Sequence, residues 1–326
     1  MADNDYSSSG DLENRSPSSN INGSIGIEHP INTTNEHPIN NLSQHLISSF
    51  IVIVCLLGLL GNGHVIWLLC FSLKKNPFTT YILNLTIADF GVLISLIAHA
   101  LFGIIVTLYN GNSVLSLFFP VFLELYFITY STGQFLPAAI SIDRCLAVLF
   151  PIWHRYRRPA RLSTIVCALV WILSFLLAVI HLSLQRTGDS GNNLLLFQLL
   201  LICSLLCTIL MVLSTLTLFI IHTCWKSNHQ QQGKLVTALL LFLVFAFPMN
   251  VLCVIYSYYV PNQSVMLTGF ACASLNSSIN PLIYFLVGRR QKKGLSKVSM
   301  KVALQRVFND EQNFMEEQNL SIETPL

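Results

Sequence analysis

Long apolar runs separated by short polar connectors dominate the chain beyond residue 45. Seven stretches, at 46–71, 78–103, 114–142, 162–184, 194–222, 235–259 and 265–287, are long and apolar enough to cross a bilayer as helix, which takes about 20 residues. The two-residue alternation of a membrane barrel is absent, and a helix satisfies its own backbone groups in hydrocarbon. The pattern predicts an all-α membrane protein, a seven-transmembrane helix bundle over 46–288. Residues 1–45 are polar and read as a disordered leading segment, and 289–326 read as an amphipathic helix and tail.

Composition strengthens this reading. Of the 326 residues 53% are hydrophobic and only 10% charged, whereas a soluble domain is about a quarter charged. The charges that remain set an orientation. Sixteen of the 18 Lys and Arg fall on one side of the seven spans, and only Arg15 and Arg186 fall on the other. The positive-inside rule then puts the N-terminus outside and the C-terminus in the cytoplasm of a multi-pass plasma-membrane protein. Glycan-acceptor triplets begin at Asn14, Asn22, Asn32 and Asn41 in the leading segment and at Asn262 in an outer loop, where an exposed acceptor can be modified. No basic–apolar leader precedes the first span, which is expected to serve as the insertion signal. All nine cysteines lie in spans or at their cytoplasmic ends. No outer-loop disulfide is predicted, and the cysteines read as small apolar fillers.

Ionisable and amide side chains inside a bundle are costly and face its interior. Asp89 lies in the second span, Asn62 interrupts the first, and Asn276 and Asn280 sit four apart on one face of the seventh. Pro281 has no N–H to give the carbonyl of Ser277, so a kink is expected there. A polar cluster around that break reads either as a structural network or as a hinge with two arrangements. In the third span Tyr126, Tyr130, Gly133, Pro137, Ile140 and Arg144 share one face. An outer aromatic position is thus aligned with an inner arginine about 27 Å away. Arg144 follows Asp143 at the cytoplasmic boundary, where it can extend to water or pair with that neighbour. Positive anchoring does not need the acid. Its presence marks Arg144 as held by a partner it can exchange.

Taken together and in order, GN at 61–62, LTIAD at 85–89, DRC at 143–145, Trp171, FAFP at 245–248 and NPLIY at 280–284 resemble the rhodopsin-like (class A) G-protein-coupled receptors over about 46–308. The stretches 76–89, 151–159 and 245–250 resemble the Mas-related subfamily in particular. The resemblance implies a receptor passing the binding of an extracellular ligand to heterotrimeric G proteins. In it Arg144 would be the coupling arginine, Asp143 its restraint, and Asn280, Pro281 and Tyr284 part of the switch. Asn62, Asp89, Asn276 and Asn280 would form its polar network. Implied partners are the ligand, the G protein, membrane lipid and arrestin, with no nucleic acid and no cofactor. Expression in nociceptive sensory neurons is a further implication.

Departures narrow the expectation. Phe119 replaces the cysteine that usually bridges to the second outer loop, Ala246 replaces the rotamer-switch tryptophan, and Gly133 stands where a sodium-binding serine is common. Tyr126 replaces the amine-binding aspartate, which argues against a biogenic-amine receptor. A pocket of Tyr126, Tyr130, His181, Asp189, Asn250 and Tyr256, suited to a peptide or small amphiphile, is expected. Glu124, two residues before Tyr126, faces elsewhere, with Arg186 or headgroup water as its partner.

Other classes fare worse. His64, His99, His181 and His222 are scattered over different spans, so neither a metal site nor an enzyme's catalytic constellation is predicted. A polytopic transporter is the alternative. It predicts repeated halves with paired broken helices, and seven spans leave no equal halves.

Overall fold

The computed structural model describes residues 36–73, 76–109, 119–150, 152, 157–159, 161–187, 202–203, 205–214, 216–217, 220, 263–289 and 299–305. The expected sixth span, Asn14, Asn22, Asn32, Asp189, Ala246, Asn250, Tyr256 and Asn262 lie outside them. Four long helices come first: α1 (Glu36–Phe71), α2 (Pro77–Tyr109), α3 (Phe119–Leu149) and α4 (Leu162–Thr187). A short apolar helix α5 (Leu205–Ser214) falls within the expected fifth span. Helix α6 (Gln263–Arg289) corresponds to the expected seventh, and a final helical turn covers 300–305.

Two boundaries differ from expectation for local reasons. Helix α1 begins at Glu36, ten residues before the expected first span, and so carries Asn41 in its early turns. Pro38 sits in its first turn, where a missing N–H costs no helical bond. Helix α3 continues to Leu149, so Asp143 and Arg144 lie inside it rather than past its end. The start of α2 follows a capping rule. Asn76 Oδ1 accepts from the Thr79 N–H at 2.6 Å, and Thr79 Oγ1 accepts from the Asn76 N–H at 2.8 Å. Pro77 takes the first helical position, and the reciprocal pair satisfies two otherwise orphaned donors.

The burial pattern is that of a membrane bundle. Outward faces of α1 and α4 carry exposed Leu57, Leu60, Leu169 and Phe175, while Asn62, Asp89, Ser174 and Asn280 are buried inside. Such surfaces suit hydrocarbon and would associate in water. Among the described residues, three helices are long and apolar enough to cross a membrane: Gln44–Phe71, Pro77–Phe102 and Leu162–Leu184.

Helix α2 is the hub, packing on α1, α3, α4 and α6. One apolar cluster, with Val65, Leu68, Phe78, Tyr81, Leu136 and Ile140, fills the Arg144 end. A second, with Ile51, Val92, Leu96, Tyr126 and Phe270, fills the opposite end. The buried polar layer lies between them in sequence on both α1 and α2: Asn62 between Cys55 and Val65, and Asp89 between Leu85 and Val92.

Several buried hydroxyls are satisfied without leaving their own helix. Thr86, Thr132 and Ser141 each donate to the carbonyl four residues back, Ile82, Ile128 and Pro137 respectively. Between helices, Trp171 Nε1 donates to Asn84 Oδ1 at 3.0 Å, tying α4 to α2.

The last turn packs back on the bundle. Leu304 is fully buried in the cluster at the Arg144 end, and Met300 packs against it. Val302, on the same turn, is exposed.

Candidate functional site

Helix α6 runs on through Pro281, which leaves the Ser277 carbonyl without its helical donor. Asn62 Nδ2, from α1, donates to that carbonyl at 3.0 Å and also to Gly58 O at 3.0 Å. One residue on, Ser278 Oγ donates to Val54 O at 3.1 Å. These bonds need close approach, and glycine permits it. A Cβ at Gly58 would collide with the Ser278 side chain, and one at Gly61 would lie 3.3 Å from the Pro281 ring.

The other face of α6 here meets α2. Asn280 Nδ2 donates to Asp89 Oδ2 at 2.7 Å, with both residues buried. The Ser277 side chain hydrogen-bonds the same carboxylate. Asn62, Asp89 and Asn280 are thereby brought together through Ser277, whose carbonyl the sequence marks but whose side-chain role it does not. Asn276 is buried as well. Tyr284, one turn further on, packs against the apolar cluster at the Arg144 end.

Two guanidinium groups at that end sit in different settings. The Arg144 guanidinium lies over the Phe78 ring, 4.7 Å from its centroid, and Arg144 is buried at 7% exposure. It does not extend to water, because α3 continues past it and α2 supplies an aromatic face. The neighbouring carboxylate has a partner the sequence reading did not name. Arg158, just before α4, donates through one terminal nitrogen to Asp143 Oδ2 and to Ser163 Oγ, both at 3.0 Å.

At the other end, aromatic rings from three helices meet. Tyr126 stacks on Tyr130 with centroids 5.4 Å apart and makes an edge contact with Phe270 at 5.3 Å. His99 of α2 meets the same Phe270 ring at 4.8 Å. Nothing in the local sequence marks Phe270, and His99 reads there only as one of several scattered histidines. Tyr126 is 6% exposed and so lies deep, whereas Tyr130 is half-buried. His181 lies one ring away from this group. It packs on Phe127 at 4.5 Å, and Phe127 in turn meets Tyr126 at 5.9 Å. His181 Nδ1 is 2.7 Å from Glu124 Oε1, so the partner of Glu124 is His181 rather than Arg186 or headgroup water.

The described cysteines are free thiols, and Cys145 Sγ donates to Ser214 O at 3.2 Å, joining α3 to α5. Among the described residues no group of His, Cys, Asp and Glu could hold a metal ion.

With this geometry in view, comparison with known proteins is specific. The profile of the rhodopsin family of 7 transmembrane receptors matches residues 61–284. The chain is 32% identical to the proto-oncogene Mas of Rattus norvegicus over 305 residues, covering 90% of this chain and 89% of that protein. It is 35% identical to Mas-related G-protein coupled receptor member H of Rattus norvegicus over 277 residues, or 80% and 83% of the two chains. For member X2 of Pan troglodytes the identity is 36% over 288 residues, or 81% and 84%. These relatives are signalling receptors, so the transporter alternative finds no support and the chain is not an enzyme. The apolar helices packed around α2, the long matches to Mas and its relatives, and the motif-bearing residues packed around Pro281 agree: the chain belongs to the rhodopsin family of 7 transmembrane receptors, and within it to the Mas-related G-protein-coupled receptors.

Proposed function

We propose that this receptor carries a ligand signal along α3, from the aromatic cluster at Tyr126 and Tyr130 to Arg144. The supporting observation is that one helix holds both groups. Residues 126 and 144 are 18 apart, about 27 Å along the axis. Arg144 is the coupling arginine, and Asp143 restrains it. Asn280, Pro281 and Tyr284 form the movable element, because the rung lost at Pro281 is replaced by a side chain rather than by the helix ladder. Asn62, Asp89 and Asn276 line it. The ligand is a peptide or small amphiphile. Half-buried Tyr130 and the Glu124–His181 pair offer such a molecule an aromatic face and a polar edge.

The Arg144 end faces the cytoplasm and the leading segment faces outside, as the sixteen-to-two division of Lys and Arg supports. Asn14, Asn22, Asn32, Asn41 and Asn262 are then available to glycosylation, and residues 289–326 to lipid headgroups and arrestin.

Epitope tags at the two ends test the orientation. On intact cells the N-terminal tag should bind antibody and the C-terminal tag should need permeabilisation. Surface binding of the C-terminal tag would overturn the assignment. Heterotrimer dissociation recorded across G-protein classes should respond through at least one class, and uptake or current without any dissociation would contradict the signalling route.

A further inference from the structure

Asp143 has two arginine neighbours that are not equivalent, one in sequence and one in space. Arg144 is its chain neighbour and lies over Phe78. Arg158 comes from the connector before α4 and reaches Asp143 Oδ2 at 3.0 Å, with the two side chains 9% and 10% exposed. At that burial the pair is shielded from salt and water, so it is not a weak surface contact.

Its geometry is also unusual. A guanidinium usually grips a carboxylate with a fork of two parallel bonds. Here one terminal nitrogen serves both Asp143 and Ser163, and the buried Nε of Arg158 has no hydrogen-bond partner. Ser163 itself is buried at 3% and hydrogen-bonds the Tyr81 side chain of α2. Three helices and the connector therefore converge on one carboxylate, and the connector arginine is held by a single corner. Such a contact can be exchanged at little cost in hydrogen bonds.

We propose that Arg158 is a positioning residue for coupling: by neutralising Asp143 against Ser163, it weakens the hold of that carboxylate on Arg144 and sets the basal signalling level. This rests on the assignment of Arg144 as the coupling arginine. Without Arg158 the buried carboxylate loses a neutralising cation, and its restraint on its chain neighbour Arg144 tightens. A purely structural arginine, or one that only touched the G protein, would act whether or not Asp143 carried a charge.

The test is a cycle of ligand-independent G-protein dissociation in cells matched for surface expression. It compares wild type, Arg158→Ala, Asp143→Asn, the double variant and Arg144→Ala. Arg158→Ala should lower basal signalling at least about threefold, the size of coupling expected for directly contacting groups. In the Asp143→Asn background the same substitution should change nothing, and Arg158→Lys, which keeps the charge, should stay near wild type. If Arg158→Ala fails to reach the surface, Arg158→Gln carries the cycle. An equal loss in both backgrounds, or a rise in basal signalling with Arg158→Ala, overturns the proposal. Undiminished signalling by Arg144→Ala instead removes the coupling assignment beneath it, so the two failures are told apart.

Discussion

Asn62 donates its side-chain amide to the Ser277 carbonyl, the group that Pro281 leaves without a donor four residues later in α6. A side chain from α1 thus stands in for one rung of the α6 ladder. The substitution differs from a helical bond in one respect: it joins two helices, so separating or rotating them breaks it.

Replacing Asn62 with leucine should cost about 1–3 kcal/mol, the range for leaving a buried polar group unpaired. In a Pro281→Ala background the loss should be smaller, because the alanine N–H can reach Ser277 O. Thermal unfolding of the four receptors in nanodiscs measures both. Equal losses in the two backgrounds would show that Asn62 does not serve the proline's carbonyl.

Two buried glycines should respond in opposite ways to alanine. At Gly58 the new Cβ meets Ser278, so Gly58→Ala should lower stability by about 1–3 kcal/mol, with partial recovery in Ser278→Gly. At Gly133 nothing lies within 4 Å of a Cβ. Gly133→Ala should therefore gain about 0.5–1 kcal/mol from lower chain entropy in the unfolded state. Thermal midpoints of the single variants decide the matter, and a loss at Gly133 would contradict the packing described.

The Trp171–Asn84 bond should behave as a single unit. Trp171→Phe and Asn84→Leu should each cost about 1 kcal/mol, and together less than the sum. Additive losses in the same unfolding assay would mean that the indole N–H is satisfied elsewhere.

Much of this architecture was legible in the sequence. The placing of the described spans along the chain and the rung lost at Pro281 follow from local chemistry. The boundaries of α4 follow as well, since Leu162–Thr187 begins where the apolar run begins. Partners across helices were not legible. The sequence shows that Ser277 loses a donor, but only the relative rotation of α1 and α6 shows that Asn62 supplies one. The same holds for Arg158 with Asp143, for His181 with Glu124, and for Phe270 against Tyr126. Arg144 was expected at a water boundary because the apolar run ends at Ile142, yet α3 runs five residues beyond it and the Phe78 ring covers it. Asp189, Asn250 and Tyr256 lie outside the described residues.

The aromatic cluster makes a graded prediction for ligand response. Tyr130→Ala and Phe270→Ala should each weaken agonist potency by about tenfold, the loss of roughly one buried aromatic contact. Tyr126, which stacks on the first and meets the second, should match them. Concentration–response curves at matched surface expression provide the check, and unchanged potency in all three would remove the cluster from the ligand path.

The most direct test of the account is heterotrimer dissociation in living cells expressing wild type or Arg144→Ala at equal surface density. The account predicts a clear response from wild type in at least one G-protein class and its loss in the variant. A variant that signals as well as wild type would contradict it.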